Sequence, residues 1–440
     1  MFYRNTLRLC NKVTLPSISC RTSSYKVIKR PDPKTLKMPM PGSAPSLLEI
    51  IKEKIRLNGP ITVAEYMHIV ATNPTEGYYM KKEVIGTSGD FITSPEISQL
   101  FGEIVAIWFY AETQKMCPGK PLNIVELGPG KGTLMVDFLR VLNRLGYQPN
   151  DLSLHLVEIS STMQGVQASR LCISHRAMDL DSPHNYEGET LNGTKVYWYN
   201  DLKKVPCDFS WYIAHEFFDV LPIHKFEKKE DGWRELLIDI DKEEKLYYRI
   251  SAKETQAVKM LLRPPLDTGD RTEIEVSARG LGLARQLAER VDKFGGLALI
   301  ADYGHEGEKE DTFRAFRKHK VVNPLENPGE SDLTADVDFA QLKIAASRTP
   351  GHENYAIVVG PVTQKDFLEW LQADARLKVL IDHAKTEEEK EKLKNSYRML
   401  VDAKNMGERF KFMAFYPSTM APILDKYPPM GFTNTNIKKV

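Results

Sequence analysis

Val125-Glu126-Leu127-Gly128-Pro129-Gly130-Lys131-Gly132-Thr133 is the stretch that decides how this chain folds. Asn123 to Leu127 is short and apolar and predicts a buried strand; a helix is expected from about Gly132 to Leu145. Between them, Gly128 and Gly130 allow a tight turn whose backbone approaches a ligand with no Cβ in the way, and Gly132 lets the helix sit close against the strand. The loop is not a phosphate loop, because G-x-x-x-x-G-K-[ST] is absent. Nor does it match G-x-G-x-x-G, since the third glycine follows after one residue rather than two.

Outward from this loop the pattern repeats. Leu152 to Val157 predicts a second strand, Phe209 to Ala214 another, and Leu297 to Ala301 a further one ending at Asp302-Tyr303-Gly304. A Val-rich strand near Ile357 and an apolar stretch from Phe410 to Tyr416 follow, with helices between them to about residue 398. Strands alternating with helices define an α/β fold with a mostly parallel sheet covered on both faces, and ligands sit at the carboxyl ends of such strands. Ile223 to Ile250 instead alternates apolar and charged residues around the turn pair Asp231-Gly232, which predicts an antiparallel insertion over about 223–275. An amphipathic stretch surrounds Phe313.

A helical extension over 47–115 precedes the sheet. Leu47 to Leu57 has helical spacing closed by Gly59-Pro60, and Thr62 with Glu65 forms a capping-box pattern for a helix ending before Asn73-Pro74. A third helix is expected after Ser94, with Pro95 at its first position and Ile97, Leu100, Phe101, Ile104 and Trp108 on one face. That face is more often core than interface, so a homo-oligomer stays an open question. The main domain is expected over 120–420, with substrate-side helical elements, and a C-terminal tail over 421–440.

Sixty basic residues almost cancel fifty-nine acidic ones, which gives no reason to expect a nucleic-acid partner. The five cysteines form no C-x-x-C pair, so neither a metal site nor a disulfide scaffold is expected. No apolar run reaches the 18 residues or so that a transmembrane segment needs. Residues 1–30 carry Arg4, Arg8, Lys12, Arg21, Lys26, Lys29 and Arg30 among serines and threonines, and the first acidic residue is Asp32. That composition predicts a mitochondrial transit segment, followed by a Pro-rich linker over 31–46.

The altered glycine spacing favours a nucleoside carrying an amino acid over a pyrophosphate. Glu158, thirty residues after Gly128 at the end of the second strand, can accept from two ribose hydroxyls. Asp201, after Val196-Tyr197-Trp198-Tyr199-Asn200, can accept from an adenine amino group while Leu202 packs on the ring. Gly128, Pro129, Gly130, Gly132, Glu158, Asp201 and Leu202 are therefore the candidate residues for S-adenosyl-L-methionine, with S-adenosyl-L-homocysteine as product. Transfer from a sulfonium rests mainly on alignment and exclusion of water. Ala214-His215-Glu216-Phe217-Phe218-Asp219-Val220-Leu221-Pro222 ends a predicted strand, where Glu216 or Asp219 can pair with a cationic acceptor and His215 is a weaker candidate for proton removal. Asp219 as a helix cap and His215 satisfying a loop carbonyl are the plainer readings.

Several long motifs in one order resemble the MidA-like family. They are Gly89-Asp90-Phe91-Ile92-Thr93-Ser94-Pro95-Glu96-Ile97-Ser98, the Glu126 to Gly132 loop, His215 to Pro222, Asp302-Tyr303-Gly304, Asp332 to Phe339, and Met406-Gly407-Glu408-Arg409-Phe410. The likeness spans roughly residues 45 to 418. It implies a class I methyltransferase fold, Rossmann-like, with the extra helical portion. It further implies methylation of an arginine on a core subunit of respiratory complex I during assembly, in the mitochondrial matrix, with symmetric dimethylarginine as product. On this resemblance the Gly89 to Ser94 loop lies near the methionine end or the substrate entrance, and Asp332 to Phe339 forms another wall of that entrance, where Asp332 and Asp336 can attract an arginine-rich peptide; its plainer reading is a capped helix start. The paired-glutamate hairpin and threonine-histidine-tryptophan loop of the familiar arginine methyltransferases are not evident, so Glu216 stands alone in its role. A methyltransferase for another acceptor, and an assembly chaperone that keeps only the fold, are the competing readings.

Overall fold

The computed structural model describes residues 45–80, 93–116, 122–179, 181–262, 266, 268–347 and 356–432. The basic leader at 1–30, nearly all of the linker, and residues 86–92 of the Gly-rich loop lie outside the described residues.

The core is a ten-stranded sheet: β1 Leu122–Leu127, β2 Leu152–Val157, β3 Ser174–Ala177, β4 Tyr186–Glu189, β5 Lys195–Tyr199, β6 Ser210–His215, β7 Gly296–His305, β8 Val337–Asp338, β9 Ile357–Thr363 and β10 Phe410–Tyr416. Its spatial order is β9-β10-β7-β6-β1-β2-β5-β4-β3, with β8 beside the end of β7. The five central strands β7, β6, β1, β2 and β5 run parallel. β10 is inserted antiparallel between β7 and β9. This is the class I methyltransferase arrangement. Register aligns Leu127 with Val157 and Ala214, Val157 with Tyr199, and His215 with Ala301. The loops starting at Gly128, Glu158, Asn200 and Glu216 therefore open along one edge, beside Asp302 of β7.

Alternation along the strands divides the core. Ile124, Leu154, Ile213 and Leu299 face α3, Gln99–Thr113, and α4, Thr133–Arg144, whose Phe101, Phe109 and Phe138 are fully buried. Val125, Tyr212, Ala298 and Ile300 face α6, Ala278–Phe294, through Ala284, Leu287 and Val291. Both faces are covered, as a parallel sheet requires.

The N-terminal helices differ in detail from expectation. In α1, Leu47–Asn58, Ser46 and Glu49 form a complete capping box that the sequence reading passed over. In α2, Val63–Thr72, Thr62 accepts from the Glu65 N–H, but the Glu65 carboxylate pairs with Lys54 at 2.7 Å, so only half of the expected box forms. The third helix is broken: Ser98 is extended at φ −157°, ending the turn Ser94–Ile97 and capping α3 through a bond from the Leu100 N–H.

The antiparallel insertion occupies almost the span expected for it, and its sheet gains one strand from outside. Strands His224–Lys229 and Gly232–Ile240 meet around Asp231, Leu246–Ile250 and Glu273–Val276 flank them, and Ile61–Thr62 from the helical extension pairs with Gly232–Ile240. The stretch after Phe313 is strand Arg314–Arg317, in a small sheet with Lys320–Val322 and Asp332–Thr334. Ala315 is its one buried residue, packed with Leu333 and Ala335 in the α1–α2 cluster. Asp332 accordingly starts a strand, and the helix α7, Phe339–Ser347, begins seven residues later. The segment expected to be a tail is packed as far as Phe432, whose ring meets Phe367 and Trp108. The Trp108 indole N–H donates to the Met430 carbonyl at 2.9 Å.

Candidate active site

The strand ends surround a cavity of about 1100 Å³ lined from Gly128, Glu158 and Asp201 at one end to Glu216, Asp219 and Asp332 at the other. At the first end Gly128, Gly130 and Gly132 all adopt positive φ, at 63°, 50° and 79°. A Cβ on Gly128 would stand 2.6 Å from the Phe217 ring, so glycine is required there by backbone and by space. The Gly132 N–H donates to the Pro129 carbonyl at 2.7 Å, closing the turn into α4. Glu126, just before it, is buried with one carboxylate oxygen lacking any partner, and burial pushes its pKa up to about 8.

Glu158 accepts from the Ser160 N–H at 2.8 Å and from the Gln167 amide at 3.1 Å; burial still holds its pKa above the usual range. Gln167, on α5, Ser161–Leu171, also donates to the Gly130 carbonyl at 2.7 Å and accepts from the Trp198 indole at 2.9 Å. One buried amide thus ties the glycine turn to Glu158. Asp201 is exposed at the cavity rim and uses one oxygen to cap its own turn through the Lys203 N–H at 2.9 Å. Leu202 is 1 % exposed, packed among Val157, Tyr199 and Val205 while also bordering the cavity.

The other end is built on the turn after β6. Asp302 on β7 accepts the backbone N–H groups of Phe217, Phe218 and Asp219 on one carboxylate oxygen at 2.8 to 3.3 Å, and that of Tyr303 on the other. This anchors Glu216 in the left-handed region at φ 50°, a conformation that costs a non-glycine residue about 1–3 kcal/mol and marks a constrained site. The Glu216 carboxylate accepts from the Ser94 N–H at 3.0 Å. Burial, then the charges of Asp219 and Asp332, push its pKa up to about 8; burial and Glu216 push Asp302 up to about 7 despite its backbone bonds. Asp219 is 8 % exposed and one of its oxygens has no partner. Burial and the charges of Asp302 and Asp332 hold its pKa well above normal. Arg314, the cation that acts on it, is engaged by Asp336 at 2.6 Å, as is Lys309.

Of the predicted residues, all but Gly132 line one cavity, and the structure changes the reading of His215, Asp219 and Asp336. His215 lies parallel to Phe410 and against Phe101, its Nε2 makes no hydrogen bond, and burial pushes its pKa down to about 3. So weak a base is a poor fit to proton removal. Asp219 caps no helix. Asp336 is held in two ion pairs instead of standing open to a peptide. Tyr79, Glu126, Gln167 and Asp302 were not singled out. Only Glu126 and Asp302 left a sequence signal, each an acid at the end of an apolar strand.

Among the described residues no group of three or more His, Cys, Asp or Glu is arranged to hold a metal, and no helix is long and apolar enough to cross a membrane. The strand order, the glycine turn and the acid after β2 define a class I S-adenosylmethionine site. Residues 104–357 match the family described as S-adenosyl-L-methionine-dependent methyltransferase, and the chain belongs to that family, in its MidA-like branch. It is 44% identical over 98% of its length to all of the mitochondrial protein arginine methyltransferase NDUFAF7 homolog of Drosophila melanogaster. It is 43% identical over 84% of its length to 83% of the mitochondrial protein arginine methyltransferase NDUFAF7 of Homo sapiens. In fold it matches a Burkholderia thailandensis protein solved bound to S-adenosyl-homocysteine, with a TM-score of 0.66, 21% identity, and coverage of 85% of this chain and 94% of that one. The chain is thus a mitochondrial S-adenosylmethionine-dependent methyltransferase.

Proposed function

We propose that the chain methylates arginine on a core subunit of respiratory complex I during assembly in the mitochondrial matrix, giving symmetric dimethylarginine. The carrying observation is the buried, unpartnered oxygen of Asp219, set beside Glu216 and Asp302 with Arg314 already engaged elsewhere. A pocket with surplus buried carboxylates is stabilised by a desolvated cation, and a planar guanidinium can meet two carboxylates with directed hydrogen bonds. The relatives' activity on protein arginine supports the same acceptor.

The glycine turn fits the methyl donor, since its three glycines take positive φ and a Cβ on Gly128 would collide with the Phe217 ring. Gly128, Pro129, Gly130 and Gly132 would cradle it, Glu158 would accept from its ribose, Asp201 and Leu202 would border its adenine, and the lone oxygen of Glu126 would receive its amino group. When bound, S-adenosylmethionine supplies a methyl group on a sulfonium. Glu216 and Asp219 would orient the acceptor nitrogen toward the cofactor end of the cavity, and the Phe217 ring packs against Gly128 between the two ends. Asp302 keeps Glu216 and Asp219 aimed by fixing the backbone between them.

Incubation of the mature protein with labelled S-adenosylmethionine and mitochondrial extract, followed by peptide mass mapping, tests this reading. Symmetric dimethylarginine on a complex I core subunit is expected. Label found only on lipid, quinone or RNA overturns the acceptor, and no label from a folded, cofactor-binding protein points to the chaperone reading.

A further inference from the structure

We infer that Tyr79 and Asp332 form a proton relay that removes the proton released from the acceptor nitrogen, an inference that rests on arginine as the acceptor. Tyr79 sits on the single turn Tyr78–Met80 after α2, and its half-buried ring lines the same cavity as Glu216 and Asp219. Its hydroxyl donates to a carboxylate oxygen of Asp332, which is 4 % exposed and also lines the cavity. The hydroxyl oxygen keeps lone pairs with which to accept an N–H from a cation seated against Asp219.

Placement of the tyrosine is tied to both ends of the site. Tyr78 stands edge-on to the Tyr79 ring, with centroids 5.1 Å apart, and packs against Met163 of α5, the helix that carries Gln167. Asp332 begins the strand Asp332–Thr334, and its charge acts on Asp219, Glu216 and Tyr79 alike. These four groups therefore face one volume, and the partnerless oxygen of buried Asp219 marks where a cation belongs.

Asp219 seats the cation, and three other candidates for taking its proton are weaker. His215 is stacked on Phe410, packed against the tilted Phe101 ring, and poorly basic. Asp302 uses both oxygens on backbone N–H groups, and Glu216 is bonded to Ser94. Methylation turns a guanidinium into a methylguanidinium and releases one proton. In the relay an N–H bond of the guanidinium breaks as an O–H bond forms on Tyr79, and the original Tyr79 O–H bond breaks as one forms on Asp332. Tyrosine ends neutral, Asp332 ends as the acid, and no electrons are exchanged.

The test compares wild type, Tyr79→Phe, Asp332→Asn and the double variant by single-turnover methylation of an arginine peptide. S-adenosyl-homocysteine affinity and thermal melting serve as controls on folding. Phenylalanine keeps the ring, and asparagine keeps an oxygen that accepts from Tyr79 but cannot take its proton. Each single variant is expected to lose roughly 100-fold in rate at saturating peptide, with S-adenosyl-homocysteine affinity nearly unchanged. The double variant should lose no more than either single one, and the solvent deuterium isotope effect of the wild type should shrink in all three. Wild-type rates in Tyr79→Phe, or rescue by Asp332→Asn, overturn the relay and leave the arginine reading standing. A wild-type protein that labels no arginine overturns both, and is told apart because the wild type itself fails.

Discussion

Single residues set the charge state of this pocket. Glu216 and Asp302, raised to about 8 and about 7, are largely protonated in the empty cavity at the lower end of the neutral range. A bound guanidinium favours their ionised forms, so binding releases protons and tightens as pH rises, levelling off above about pH 8. Acceptor KM is therefore expected to fall by up to about tenfold per pH unit per proton released between about pH 6 and 8. Glu216→Gln should remove the upper part of that slope; a flat wild-type profile would disprove the assignment. Glu126 gives a separate stability signature in the ligand-free protein. Its folded pKa of about 8 exceeds the ordinary value near 4.5, so the folded chain holds a proton that the unfolded chain has lost. Stability from this group is present below about pH 4.5 and is lost as pH rises toward 8. Glu126→Gln should melt with the wild type near the acidic limit and above it near pH 8.

At the scale of elements, helix α5 holds the cofactor end together through Gln167. Leucine at this position would leave the Gly130 carbonyl and the Trp198 N–H without their partners, and remove one bond from Glu158. Each buried polar group left unsatisfied costs about 1–3 kcal/mol. Gln167→Leu is expected to weaken S-adenosyl-homocysteine binding at least tenfold in calorimetry and to lower the denaturation midpoint, whereas Gln167→Glu, which sets a second carboxylate against Glu158, should weaken binding further. Equal affinity in all three proteins would show that the glycine turn needs no tether. The broken third helix carries a related lesson. The apolar spacing through Ser98 continued, but Ser98 turns its side chain onto the Leu100 N–H, and a local cap outweighs the period.

Across the whole molecule, distant chain segments seal the sheet. The Ile61–Thr62 strand joins the helical extension to the antiparallel insertion, and Phe432 closes an aromatic cluster with Phe367 and Trp108. Phe432 is 1 % exposed, and truncating such a ring costs about 3–5 kcal/mol. Phe432→Ala should unfold at clearly lower denaturant while the folded fraction still binds S-adenosyl-homocysteine, since the cluster is on the α3 side of the sheet, away from the lining of the cavity. A variant as stable as wild type would show that residues after 420 are dispensable.

Four of the five central strands, the glycine turn, and acids at the carboxyl ends of strands are legible in the residue order, because each is written in contiguous residues and in periods of two or 3.6; the fifth, Lys195–Tyr199, was not expected. Leu152–Val157 and Phe410–Tyr416 fall where apolar runs placed them. Only tertiary structure decided which groups meet. Tyr79 and Asp332 are 253 residues apart, and Ser94 and Glu216 are 122 apart. Gln167 looked like any polar helix residue until folding put three partners around its amide. His215 lost its basicity to rings from residues 101 and 410, and Asp336 lost its openness to Lys309 and Arg314. Desolvation and Coulomb energy depend on neighbours in space, so the chemistry of a buried carboxylate is fixed only when the chain has closed around it.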